Sequence, residues 1–256
     1  KITFKVTSNE KTLKLYPYNF TILITYELLE QTLHSNLEFT NNSKTTMPFN
    51  LGLHPAFKVP LEDTETFEDY KIIFDVPGTY EMPAVNLSDG TIDYEKRIRT
   101  FTNLKELPLN YSDYDYDALV FENIKSHQVT LTNKDETHGV VFSFEDFPML
   151  GIWTPNHIKS PFICLEPWIG YADHHDSNYQ FIEKDNMQFL REMIQTVVMN
   201  LFGNLELTIE GKTMINIGLE WKHRSAYPQQ LISENYFNIT VGINFNELWF
   251  WQRKLK

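Results

Sequence analysis

The chain has 256 residues, of which 42% are hydrophobic and 14% aromatic, and this is enough apolar material for one large core. Its 34 acidic and 22 basic side chains give a formal net charge of −12 at pH 7. Because such a surface repels phosphate groups and anionic lipids, we expect neither nucleic acid nor a membrane as partner, and a neutral or weakly charged small molecule as ligand.

The predicted elements are mainly β-strands. Apolar and polar residues alternate over residues 20–28 and again over residues 37–40, which is the period of a half-buried strand. Further strand candidates follow at residues 70–76, 128–132, 139–144 and 161–166. Residues 183–199 are a candidate helix of poor periodicity, and twelve prolines and ten glycines punctuate the chain at short intervals. The pattern predicts a single all-β domain, a large and mostly antiparallel β-sandwich.

A histidine within residues 52–57, Gly-Leu-His-Pro-Ala-Phe, is the first candidate for chemistry. Pro55 favours an extended backbone at His54, and the small residues Gly52 and Ala56 leave room for a ligand near the imidazole. Histidine ordinarily titrates close to neutral pH, which suits it to donate or accept a proton there. The alternative is a histidine that caps a turn at the end of a strand.

A carboxylate at the end of an apolar run is the second candidate. Glu166 follows the run that contains Cys164, the only cysteine of the chain. Burial there would raise the pKa of Glu166 and make it a better base near neutral pH. Trp168 offers a flat apolar surface of the kind that stacks on a sugar ring; the alternative is an edge glutamate in a surface ion pair with Trp168 in the core. Cys164 is expected to be buried and unreactive, and a lone cysteine excludes an internal disulfide.

Two acidic or histidine-rich segments resemble metal sites at first sight. Residues 113–121 alternate Asp and Tyr before an apolar run, but the glycine and terminal glutamate of a calcium-binding loop are absent. We expect a surface turn there, with Asp117 directed into a cleft. His174 and His175 are adjacent in sequence, and because neighbouring side chains usually diverge we expect an exposed loop and no metal site.

Four segments, in order and with matching spacing, resemble the aldose 1-epimerase (galactose mutarotase-like) family, and in particular its LacX-like branch. They are Thr-Met-Pro-Phe at 46–49 with the hexad at 52–57, Asp-Ala-Leu-Val-Phe at 117–121, Leu-Gly-Ile-Trp at 150–153, and Pro-Phe-Ile-Cys-Leu-Glu-Pro-Trp-Ile-Gly at 161–170. The resemblance implies the galactose mutarotase-like supersandwich fold. It also implies that His54 and Glu166 are the catalytic acid–base pair and that Asp117, Phe57 and Trp168 bind the sugar.

The same resemblance implies an isomerase that interconverts the α and β anomers of a hexose without cofactor or metal. A non-catalytic carbohydrate-binding protein and an inactive fragment of the family are the alternatives. With no signal peptide or apolar run of about 18 residues in the sequence, we expect a cytoplasmic protein.

Both ends of the chain depart from the family pattern. Family members carry an arginine and a second histidine on earlier strands, and residues 1–18 resemble the part that follows them. We therefore expect an epimerase-like domain over residues 1–190 that lacks the N-terminal strands. Residues 191–256 do not resemble the family ending, and we hypothesise a frameshift near residue 190 that produced an atypical tail.

Overall fold

The computed structural model describes residues 1–170, 172–178, 180–184 and 186–191, and the backbone of three later strands. The strands are β1 (Ile2–Thr7), β2 (Phe20–Leu29), β3 (Thr32–Asn41), β4 (Met47–Phe49), β5 (Leu51–Gly52), β6 (Ala56–Lys58), β7 (Tyr70–Val85), β8 (Ile92–Pro108), β9 (Leu119–Phe121), β10 (Gln128–Asn133), β11 (Gly139–Ser143), β12 (Met149–Trp153), β13 (Phe162–Ile169), β14 (Gln188–Leu190), β15 (Thr196–Glu206), β16 (Met214–Arg224) and β17 (Glu234–Asn244). The helices are short: α1 (Glu10–Leu13) and the 3-10 turns Phe67–Asp69, Tyr111–Tyr114, Asn156–Ile158 and Phe181–Glu183.

Alternation of apolar and polar residues predicts these strands well. Along β3 every second residue is buried, as expected for a strand with one face on the core. The six predicted strands correspond to β2, β3, β7, β10, β11 and β13. The candidate helix at residues 183–199 is wrong in the described residues, since β14 and the start of β15 lie there; its poor 3.6-residue periodicity gives a helix no apolar face to bury.

Two sheets pack face to face. The larger has eight strands in the order β1-β2-β3-β15-β11-β10-β7-β8, and the smaller has the order β5-β13-β12-β9 with β6 also paired to β13. Ring contacts join the sheets across the core: Phe57 lies 5.5 Å from Phe142 and Phe74 lies 5.3 Å from Phe121. The strand pairings are antiparallel, and the predicted antiparallel β-sandwich is confirmed.

The smaller sheet has a core face and an outer face. Along β13, Ile163 and Leu165 belong to the core cluster between the sheets. Because successive side chains of a strand point to opposite faces, Cys164, Glu166 and Trp168 share the outer face. The candidate base and the candidate sugar-stacking residue thus lie two positions apart on the same side of the sheet.

The β7–β8 hairpin covers part of that outer face. Its two strands are 16 and 17 residues long, well beyond the usual strand length. Near the tip of the hairpin, Ile92 joins Val120 and Met149 in a separate buried cluster, against which Tyr94 and Trp168 pack. The hairpin therefore forms one wall beside Trp168.

The backbone beyond residue 190 contributes to the sheets. β15 lies between β3 and β11, and β16 pairs with β17. The division at residue 190 and the frameshift stay predictions, which resequencing of the source DNA would test. Among the described residues, no helix has the length and apolarity needed to cross a membrane.

Candidate active site

His54 and Glu166 meet on the outer face of the smaller sheet. The Nδ1 atom of His54 lies 3.3 Å from Oε1 of Glu166, and the two side chains are 48% and 9% exposed. Backbone hydrogen bonds fix the histidine loop to β13 on both sides of His54: the Leu53 N–H donates to the Pro167 carbonyl and the Leu165 N–H to the Pro55 carbonyl, each at 3.1 Å. The loop between β5 and β6 is thereby held against the strand that carries the carboxylate.

Burial makes Glu166 unusually basic. It raises the pKa of the carboxyl group from 4.5 to about 8, with the negative charge of Asp117 adding to the effect and a hydrogen bond from Trp168 opposing it. A carboxyl group with this pKa both accepts and releases a proton near neutral pH. His54, which is half exposed, stands beside it with its ring 5.8 Å from the Trp153 ring in an edge-to-face arrangement.

Asp117 reaches the same place from the loop before β9. Its backbone has a φ of +76°, a left-handed conformation that Asp tolerates better than most residues. The Asp117 N–H donates to the Tyr114 carbonyl at 3.1 Å, which closes the turn. Strained backbone conformations of this kind are concentrated at functional sites, and here the turn brings a second carboxylate close enough to Glu166 to raise its pKa.

Trp168 lies over two glycines of the neighbouring strands. A Cβ atom at Gly151 would be 2.7 Å from Cζ2 of the indole, and one at Gly52 would be 3.1 Å from Cδ1. Gly151 therefore has to lack a side chain for the indole to keep its place on the sheet, whereas a side chain at Gly52 would require the indole to shift by a few tenths of an ångström. Gly52 of β5 is paired with Trp168, and Gly151 of β12 is paired with Glu166. The two glycines and the indole therefore form the floor of the site.

Cys164 lies close to His54 and Glu166. Its thiol is buried, as the sequence predicts, and burial together with the charge of Glu166 raises its pKa far above the ordinary range. Ligand atoms of His54, Cys164 and Glu166 lie within 4.8 Å of one another. A metal ion there would need the thiolate, which the raised pKa disfavours.

The structure brings together four of the five residues implied by the sequence and leaves out one. His54, Glu166, Asp117 and Trp168 share the outer face, whereas Phe57 is buried in the core against Phe142. β6 pairs with β13 so that Phe57 faces the core residue Ile163 and Ala56 faces Cys164. Phe57 is therefore a packing residue, contrary to the expectation of a sugar contact.

Sequence reasoning also missed two residues of the site. Trp153, which contacts His54, and Gly151, which underlies Trp168, are alternate residues of β12. The family resemblance had already identified the segment Leu150–Trp153. Since alternate residues of a strand share a face, Gly151 and Trp153 could have been assigned to the same face of the sheet.

Comparison with known proteins gives the same family over most of the chain. Residues 1–185 match the family model of aldose 1-epimerase, and residues 181–256 match a second family model, BamG. The chromosomal and plasmid forms of protein LacX from Lactococcus lactis are 35% identical over 172 residues, which are 67% of this chain and 57% of each relative. The chain thus corresponds to less than two thirds of the length of these relatives.

Solved structures with the same fold support the match. A galactose mutarotase related enzyme from Lactobacillus acidophilus superposes with a TM-score of 0.74 at 26% identity, over 82% of this chain and 69% of that one. A galactose mutarotase-like protein from Lactobacillus casei gives a TM-score of 0.67 at 28% identity, over 80% and 69%. With the sandwich and the family match over more than half of its length, the chain belongs to the aldose 1-epimerase family, in its LacX-like branch.

Proposed function

We propose that this chain is an aldose 1-epimerase that interconverts the α and β anomers of a hexose, with Glu166 and His54 as its acid–base pair. The observation that carries the proposal is the 3.3 Å contact between a buried carboxyl group and a more exposed imidazole. Opening a cyclic hemiacetal requires one proton to be removed and another to be added at two neighbouring oxygens. Two titratable groups in contact at an accessible site are suited to that task.

In the form of the pair that opens the ring, Glu166 is ionised and His54 holds the shared proton. Glu166 takes the proton of the anomeric hydroxyl while His54 donates a proton to the ring oxygen, and the bond between C1 and the ring oxygen breaks. The product is the open-chain aldehyde, with Glu166 now protonated and His54 neutral. Rotation about the C1–C2 bond exposes the other face of the aldehyde, and the two proton transfers then run in reverse to close the ring as the other anomer.

The raised pKa of Glu166 suits this cycle, because the pair holds one proton throughout and passes it from one residue to the other. An ordinary glutamate has a pKa of about 4.3 and an ordinary histidine about 6.5, so protonating the glutamate at the expense of the histidine would be uphill. Burial and the charge of Asp117 raise the pKa of Glu166 to about 8. This lowers the cost of the half-way state, in which the carboxyl group holds the proton.

Asp117 and Trp168 are proposed to hold the sugar. The carboxylate of Asp117 is an acceptor for ring hydroxyl groups, and the indole of Trp168 offers an apolar surface to the C–H groups of the ring. Orientation of the ring over Glu166 and His54 adds to the roughly 10²- to 10⁴-fold that general acid–base catalysis ordinarily supplies.

Polarimetry on freshly dissolved α-D-galactose and α-D-glucose tests the proposal. We expect the chain to accelerate mutarotation, and His54→Ala and Glu166→Gln each to reduce the acceleration by about 100-fold or more. His127→Ala and Glu145→Gln, which change exposed residues away from the site, are matched controls and should keep full activity.

The outcomes separate the alternatives. Loss of acceleration in both site variants but in neither control supports the acid–base pair. A folded chain without any acceleration refutes the enzymatic proposal, and quenching or enhancement of tryptophan fluorescence by the same sugars would then identify a carbohydrate-binding protein.

A further inference from the structure

Asp93, His174 and His175 form a cluster outside the proposed acid–base site. Ile92 at the start of β8 makes a parallel bridge with His174 in the loop after β13. Two backbone hydrogen bonds fix the bridge: the Ile92 N–H donates to the Asp173 carbonyl at 2.8 Å, and the His175 N–H donates to the Ile92 carbonyl at 3.2 Å. Because paired residues of a bridge lie side by side, Asp93 is held next to His175.

The three side chains converge. One ring nitrogen of each histidine and one carboxylate oxygen of Asp93 lie within 4.8 Å of one another, and Nδ1 of His175 is 3.9 Å from Oδ1 of Asp93. The two imidazoles, which were expected to diverge, have ring centroids only 4.5 Å apart. The reason is that the ring of His174 stacks on Tyr94 of the hairpin, 5.6 Å away, and so turns towards the cluster.

We propose that Asp93, His174 and His175 bind a divalent transition-metal ion, of which Zn²⁺ fits best, and that the ion ties the β7–β8 hairpin to the loop after β13. Two imidazoles and one carboxylate are a ligand set that zinc sites use, with a fourth position open to water. Zinc holds such ligands at about 2.0–2.2 Å, so modest rotations of side chains already within reach would close the site.

Neighbouring groups orient two of the three ligands. His174 hydrogen-bonds through Nδ1 to the carboxylate of Asp176, the arrangement that commonly orients a metal-binding histidine and leaves Nε2 with the lone pair. The Asp93 carboxylate accepts the N–H groups of Glu95 and Lys96 at 3.1 and 3.0 Å. These hydrogen bonds hold the Asp93 carboxylate in a fixed orientation at the start of β8.

One member of the cluster, His174, borders a cleft. His174 and Asp176 line a cleft of about 300 Å³ beside the loop. Lys184, which also lines it, is neutralised by an ion pair of 2.9 Å with Asp173. A hydrated cation that enters this cleft therefore reaches His174 without passing an unpaired lysine charge.

Titration calorimetry of ZnCl₂ into the untagged 256-residue chain tests the proposal. We expect one ion per chain, with binding weakened at least 10-fold by Asp93→Asn and by His175→Ala, and about 10-fold by loss of the orienting carboxylate in Asp176→Asn. Asp93→Asn retains an oxygen to accept the two backbone N–H groups, and His175 is exposed, so neither change removes a core contact. His127→Ala, an exposed histidine elsewhere, is the matched control and should bind as the unchanged chain does.

The second cluster, which contains Cys164, makes His54→Ala an essential comparison. Zinc binding that survives His54→Ala and is lost in Asp93→Asn supports the proposed site, as does a Co²⁺ complex whose spectrum lacks a thiolate-to-metal band. Absence of binding to the folded chain, binding lost in His54→Ala, or unchanged binding in both Asp93→Asn and His175→Ala would each overturn it.

Discussion

Replacing Glu166 with glutamine should stabilise the protein at alkaline pH. The side chains have nearly the same shape, and the amide oxygen can accept the indole N–H that hydrogen-bonds to Glu166. What the change removes is a carboxylate that has to be charged in a buried place when the pH is high. Burial of an ionised group without a full set of partners is costly, so the unchanged protein bears this cost and the variant does not.

The magnitude follows from the pKa. Glu166 titrates at 4.5 when unshifted and at about 8 in the folded chain. Below the lower value it is protonated in both states, and its favourable contribution to stability is fully present. As the pH rises through about 8, the unfolded chain has already lost the proton and the folded chain is forced to lose it, so that contribution disappears. At about 1.4 kcal/mol per tenfold change, the upper limit is about 5 kcal/mol, and relaxation of water and His54 around the charge reduces the expected effect to about 2–3 kcal/mol.

Urea unfolding followed by tryptophan fluorescence at about pH 5 and about pH 9 measures this difference. The free energy of unfolding of Glu166→Gln, relative to the unchanged chain, should rise between the two pH values, while that of the exposed variant Glu145→Gln should not. If the advantage of Glu166→Gln were equal at both pH values, the carboxyl group would not be titrating with a raised pKa, and the argument for its role as a base near neutral pH would fail with it.

Three other predictions concern the glycine floor of the site, the charge of Asp117 and the Cys164 thiol. Gly151→Ala places a methyl group 2.7 Å from the Trp168 ring, whereas the same contact in Gly52→Ala is 3.1 Å. The affinity for sugar, measured by fluorescence titration, should therefore fall more in Gly151→Ala than in Gly52→Ala. Equal affinities of the two variants would contradict the flat placement of the indole. The pH–rate profile of the proposed epimerase reaction should have its alkaline limb near pH 8, the value to which the pKa of Glu166 is raised. Asp117→Asn should move that limb to lower pH because a like charge is removed; a limb that stays in place would separate Asp117 from Glu166. The buried Cys164 thiol should react with DTNB at least about 100-fold more slowly in the folded chain than in urea, since reaction requires local opening; rapid release of one equivalent from folded protein would place the thiol at the surface.

Local patterns in the sequence predict the strands and the burial of Glu166. In β2 and β3 the alternation of apolar and polar residues is itself the cause of burial on one face. Glu166 ends an apolar run in a segment that has to be a buried strand, so a carboxylate at that position is partly desolvated wherever the strand lies. These inferences need no knowledge of what else packs nearby.

Orientation across a loop is harder to predict. Pro55 lies in the loop between β5 and β6. Counting alternate residues from Gly52 through this loop therefore does not tell which way the side chain of Phe57 points. The structure resolves it through pairing with β13, which directs Ala56 outward and Phe57 into the core. The family resemblance implies a sugar contact for Phe57, yet the strand register assigns that side chain to the core.

Contacts between distant segments are also invisible in a local pattern. Nothing near Asp93 indicates that the tip of the β7–β8 hairpin reaches the loop after β13, about 80 residues later in the chain. The convergence of His174 and His175 depends on stacking against Tyr94, which belongs to that hairpin. The divergence expected of adjacent histidines holds for a free loop, and the hairpin is what changes the outcome.

The alternation of side chains along β13 places core residues on one face of the strand and candidate site residues on the other. Ile163 and Leu165 contribute apolar burial to the core, while Cys164 and Glu166, one position further along in each case, face the site, where burial raises the pKa of both side chains. On the inner face Ile163 and Leu165 are fully buried, and on the outer face Glu166 is 7% exposed. Changes on the two faces should therefore be separable: truncating Leu165 would lower the free energy of unfolding at all pH values, whereas changing Glu166 alters how that free energy depends on pH.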